Sequence, residues 1–128
     1  MARFLIVGAG PNATALVDVL ERDGHVVSAV THTDRRALEH VAIVCWLEGR
    51  TPERFLLASV DSSMRGFVYQ AHDWERVALE TAERNSIPMV ALRSDQSDVA
   101  VWLAEAQNAI ASLIGAPGGS MSARYADR

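Results

Sequence analysis

The sequence predicts an α/β fold: a three-layer domain in which a five-stranded parallel sheet is flanked by helices. The first reason is alternation. Short apolar runs and segments with helical spacing follow one another along the whole chain, as they do where parallel strands are joined by crossover helices. The second is the opening run, FLIV, which is apolar at every position, like a strand covered on both faces. The third is size. With 128 residues, 49% of them hydrophobic, the chain is long enough for one sizeable core. Residues 1–115 are therefore expected to form one domain, with residues 116–128, which show no periodicity, as a loose tail.

Each element has its own signal. Residues 4–7 form the first strand, which ends at Gly8. A helix starts at Pro11, with Ala13, Leu16, Val17 and Leu20 three and four apart, and Asp23-Gly24 stops it. HVVSAV (25–30) and HVAIVCW (40–46) are the second and third strands. The stretch THTDRRALE between them has room for little more than one helical turn. Thr51-Pro52-Glu53 is a helix start with a cap, a proline and an acid in order, and Leu56, Val60 and Met64 mark one face of that helix. FVYQA is the fourth strand. Asp73 then opens a helix with Trp74, Val77, Ala78 and Ala82 inward and with Arg76, Glu80 and Arg84 spaced for solvated pairs. PMVALR (88–93) is the fifth strand. The last helix, 98–114, turns Val99, Trp102, Leu103, Ala106, Ile110 and Leu113 to one side.

Composition excludes several functions. Twelve arginines and no lysine stand against sixteen acids, and the arginines are scattered, so nucleic acid and anionic membrane are not expected partners. Without lysine there is no Schiff-base chemistry, no lysine general base and no lysine phosphate cradle. No apolar stretch approaches the ~18 residues of a membrane span, and Met1-Ala2-Arg3 leads into a strand without a secretory pattern, so a cytoplasmic protein is expected. Cys45, the single cysteine, lies within a strand and is expected to be core.

The informative motif is Gly8-x-Gly10-x-x-Ala13, between the first strand and the first helix. It has the spacing of the dinucleotide fingerprint. The first glycine makes the tight turn, the second lets pyrophosphate approach the backbone, and a small third residue lets helix and sheet pack. Amides at the start of the following helix would face phosphate, although Pro11 removes one donor. The competing reading is that the glycines only shape a turn. A carboxylate after the second strand would suit the ribose of NAD, and arginine there the 2′-phosphate of NADP. Thr31, His32, Thr33, Asp34, Arg35 and Arg36 offer both, and the adjacent arginines tilt the choice toward NADP. Trp46, at the carboxyl end of the third strand, is a candidate to stack on adenine, to plug an empty site or simply to pack.

On these residues the chain resembles the extended, epimerase-like branch of the short-chain dehydrogenase superfamily. The stretch FLIVGAGPNATALVDVLERDGHVVSAVTHTDRR resembles its opening, HVAIVCWL the next cofactor-side strand, RGFVYQA the central strand, and ERNSIPMVALR the passage after the catalytic helix. The resemblance implies a Rossmann-like fold, NAD or NADP as cofactor, and a homodimer built on the last two helices. It breaks at the chemistry. The family's proton transfer uses a tyrosine, a lysine four residues later and a serine. Here Tyr69 is followed at that distance by Asp73, position 71 is alanine, and Tyr125 lies in the tail. No catalytic residue carries over, and the family's C-terminal substrate region has no counterpart.

The resulting expectation is a non-catalytic NAD(P)-binding module with a sensing or regulatory role. Cofactor contacts would come from Gly8, Gly10, Pro11, Asn12, Thr31, His32, Arg35 and Trp46. One alternative is an interaction or scaffold protein that binds no cofactor, its cleft closed by Pro11, Asn12 and Trp46. Another is an enzyme with reassigned chemistry on Tyr69, His32 or Asp34. His32, Asp34 and His40 match no zinc or iron spacing, and Ser59, Ser62 and Ser63 lack a nucleophile elbow.

Overall fold

The computed structural model describes residues 2–30, 40–48, 52–59, 62, 64–70 and 75–114. In chain order the elements are β1 (Arg3–Val7), α1 (Pro11–Arg22), β2 (Val26–Val30), β3 (Ile43–Trp46), α2 (Glu53–Ala58), β4 (Gly66–Gln70), α3 (Glu75–Arg84), β5 (Met89–Leu92) and α4 (Val99–Ile114). All five strands are parallel, in the order β2-β1-β3-β4-β5. The architecture is the expected Rossmann-like three-layer α/β sheet. The connection 31–39, Trp74 and the expected tail lie outside the described residues.

Helix ends follow local chemistry. Pro11 occupies the first position of α1, where its missing amide costs nothing and its fixed φ fits. The helix closes on Gly24 at φ 90, with the Gly24 amide donating to the Glu21 carbonyl and that of His25 to Leu20, both at 3.0 Å. The same closure recurs after α3 with Ser86 in the glycine position at φ 56, a conformation that an L side chain resists. The Ser86 amide donates to Glu83 at 3.2 Å and that of Ile87 to Ala82 at 2.8 Å. At the start of α4 the Asp98 carboxylate accepts from the Val101 amide at 3.2 Å. Arg76 and Glu80 form the expected exposed helical pair at 3.5 Å.

Successive residues of each strand point to opposite faces and build two separate apolar layers. Phe4, Ile6, Ile43, Cys45, Val68 and Leu92 meet the inward stripes of α1 and α4, with Leu16 and Trp102 among the contacts. Leu5, Val7, Val44, Trp46, Phe67 and Tyr69 meet α2 and α3 on the other face. The central strands are buried on both sides, which is why their sequences show no alternation. Burial pushes the Cys45 thiol up to about 12, so it is a packing group and not a nucleophile at neutral pH.

The last two helices, α3 and α4, cover opposite faces of the sheet. Trp102 is core, and the neighbour of α3 on its own face is α2. Among the described residues no helix is long and apolar enough to cross a membrane.

Candidate functional site

The strand order places a switch point at β1. The chain leaves β1 toward β2 by way of α1 on one face, while β3, on the other side of β1, continues through α2 on the opposite face. The two connections part above the carboxyl ends of β1 and β3, where open α/β sheets have their crevice. The glycine turn stands there. The Gly8 amide donates to the Val30 carbonyl at 2.9 Å, and the Leu47 amide to the Val7 carbonyl at 2.8 Å, so the end of β1 is tied to both neighbours.

The three small residues of the motif occupy three different environments. Gly8, at φ +135, lies so close to the end of β3 that an added Cβ would sit 3.1 Å from Leu47 Cβ and 3.2 Å from its carbonyl carbon. Gly10, at φ +113, has nothing within 4 Å of the same position among the described residues. Ala13 is buried between α1 and the sheet. Tight turn, open approach and close helix packing are the three roles that the spacing anticipated.

Gly10 caps α1 without a side-chain hydrogen bond, and the first turn contains no acid. Thr14 returns both its amide and its hydroxyl to the Gly10 carbonyl, each at 3.1 Å. Among the described residues no acceptor meets the backbone amides of Asn12 and Ala13. Such a helix end attracts negative charge through its dipole and its unpaired N–H groups. The side chain of Asn12 is engaged elsewhere: its Nδ2 donates to the Gln96 carbonyl at 3.0 Å and ties α1 to the loop after β5.

The other expected site residues divide into two groups. Thr31, His32 and Arg35 lie outside the described residues, as do Asp34 and Arg36. Trp46 is 3% exposed and packs against Phe55 at 5.3 Å and Phe67 at 6.4 Å between ring centroids, on the α2/α3 face. That is the packing role, since an indole held there presents no ring face to a ligand above the sheet. Tyr69 is buried in the same layer.

A polar network at the carboxyl end of β5 was not legible in the sequence. Both carboxylate oxygens of Glu105 accept from the Arg93 amide at 3.0 Å, and Oε1 also accepts from the Ser94 amide at 2.9 Å. Partial burial pushes the Glu105 pKa up. The two amides, the Ser94 hydroxyl and the Arg93 charge outweigh it, and the net pKa lies below the ordinary 4.5. The Arg93 guanidinium forks onto the Glu75 carboxylate, with Nη1 to Oε2 at 3.2 Å and Nη2 to Oε1 closer still. The available signal was that Glu105 is the one charged residue of α4, three positions after inward Trp102.

Glu105→Gln should cost roughly 1 kcal/mol at pH 7, a figure discounted for its partial exposure. Because the folded pKa is lowered, the carboxylate's contribution is complete above the unfolded value. It is lost as pH falls through the folded one. Urea midpoints of the two proteins should therefore differ at pH 7 and converge in acid. A gap that persists unchanged below pH 3 would contradict the assignment.

No protein-family model and no curated protein matches the chain. Among solved structures it is similar to one described as the crystal structure of an uncharacterized protein, with a TM-score of 0.55 and 18% identity over 83% of this chain and 97% of that one. The likeness shows the fold alone.

Proposed function

We propose that the protein is a non-catalytic NAD(P)-binding module of the cytoplasm, sensing or regulatory in role and a contracted relative of the short-chain dehydrogenases. The observation that carries this reading is the division of labour in the turn. Gly8 is crowded by the end of β3 and Ala13 by the sheet, but among the described residues nothing stands against Gly10 on the side where a pyrophosphate would come. The unpaired amides of Asn12 and Ala13 at the start of α1 support it, because together they make an anion site needing no lysine. Asn12 takes part through its backbone, as its side chain is held by Gln96. Burial of Tyr69 in the α2/α3 layer supports the non-catalytic half of the reading.

A thermal-shift titration with NAD, NADH, NADP and NADPH, with ATP and S-adenosylmethionine as comparators, tests it. A dinucleotide at a hundredfold excess over its dissociation constant should stabilise the native state by about 2.7 kcal/mol, and the shift should vanish in Gly10→Val. Valine is strained at φ +113, so Gly10→Ala, which projects less into the open space, serves as the folded control. If no dinucleotide raises the midpoint at about 1 mM, the reading is lost and the turn is only a piece of backbone geometry.

A further inference from the structure

The two edges of the sheet are β2 and β5, and β5 lies beside an apolar groove of about 670 Å³. Leu79 and Ala82 of α3, Ile87 of the turn, and Met89 and Ala91 of β5 line it. Leu79 is 37% exposed there. Among the described residues no strand pairs with β5 on this side. Phe67 donates its amide to the Pro88 carbonyl at 2.9 Å, and Gln70 Nε2 donates to the Leu92 carbonyl at 3.3 Å. Since Pro88 and Leu92 thus face β4, strand alternation turns the N–H and C=O of Met89 and Ala91 outward. An apolar trough beside a strand edge with open donors and acceptors is a template for another strand.

The charges in the groove indicate which strand. Glu83 flanks the end where the chain enters β5, and Arg93 flanks the end where it leaves. A two-fold axis through Val90 reverses the strand direction, so each Glu83 meets the partner's Arg93, and Met89 exchanges both of its bonds with the partner's Ala91. The patch is complementary to itself under rotation, as an isologous interface requires. Arg93 is already oriented by its fork onto Glu75 and remains exposed enough to take a second acid. We infer that β5 pairs antiparallel with β5 of a second copy of this chain, extending the sheet across a homodimer. A four-residue edge with one apolar side chain cluster belongs to the small, concentration-dependent class of interface.

Sedimentation velocity from about 1 to about 300 μM should show monomer passing to dimer with a dissociation constant in the micromolar range. Glu83→Arg and Arg93→Glu, each checked for retained fold by circular dichroism, should each weaken the dimer by about tenfold or more. An equimolar mixture should restore it, because the mixed pair sets opposite charges together again. Ala91→Pro, which removes an outward amide that β4 does not use, should weaken it independently of charge. Monomer throughout the range overturns the inference, as does a dimer that none of the three changes affects. If the full chain is monomeric and dimerises only after residues 115–128 are removed, the inference is also overturned and the edge belongs to the chain's own terminal segment.

Discussion

Trp102→Ala should remove about 3–5 kcal/mol of stability, much of the total available to a domain of this size. Trp102 is one of the largest fully buried side chains and anchors the α1/α4 layer. Its indole Nε1 also donates to Gln70 Oε1 at 2.5 Å, while the amide arm of the same Gln70 donates to the Leu92 carbonyl. The substitution thus opens a cavity and orphans a buried acceptor together. Trp102→Phe separates the two effects, because it keeps most of the apolar volume and should cost about 1–3 kcal/mol for the lost partner. Adding Gln70→Leu to that variant should recover part of the loss, since removing both members of a buried polar pair is milder than removing one. Urea unfolding followed by far-ultraviolet circular dichroism gives all three values. A loss below about 1 kcal/mol for alanine would contradict the packing described.

Gly8→Ala should cost about 3 kcal/mol and Gly10→Ala distinctly less, although both glycines have positive φ. At Gly10 the penalty is backbone strain, as among the described residues nothing stands near the added carbon. At Gly8 the same strain is joined by a clash at 3.1 to 3.2 Å with Leu47, including its main chain, which cannot step aside without pulling on the end of β3. The Leu47 amide is itself bonded to Val7, so the disturbance would return to β1. Equal midpoints for the two variants in the same melts would show that the end of β3 gives way more easily than its bonding suggests.

Much of the fold was legible because it rests on local patterns. Alternating periodicities gave the element types, and the glycine pair marked the turn. Periodicity reports how a residue is buried and not by what, so the order of the strands and the faces on which α3 and α4 lie had no local signature. Trp46 illustrates the limit. Its position at a strand end suggested the crevice, but in Ile43–Trp46 both faces are apolar, and the pattern does not say which face an indole takes. The structure sets it at the parity of Val44, away from that of Cys45. Glu105 was missed for a related reason. Its partners are backbone amides of a loop, and amides leave no trace in the identities of side chains.

The strand order bears finally on time. Every pairing in this sheet is parallel, so no two strands are joined by a hairpin and each contact waits for a crossover to be completed. Of the five strands β1 is made first, yet its second edge closes only when β3, the central strand, arrives a whole helix and strand later in the chain. During synthesis the nascent chain carries two exposed, strongly apolar segments, FLIV and AIVCW, which have to find each other across β2 before they find a neighbour's. The topology that creates the crevice thus also sets the interval in which the unfinished chain is most prone to aggregate.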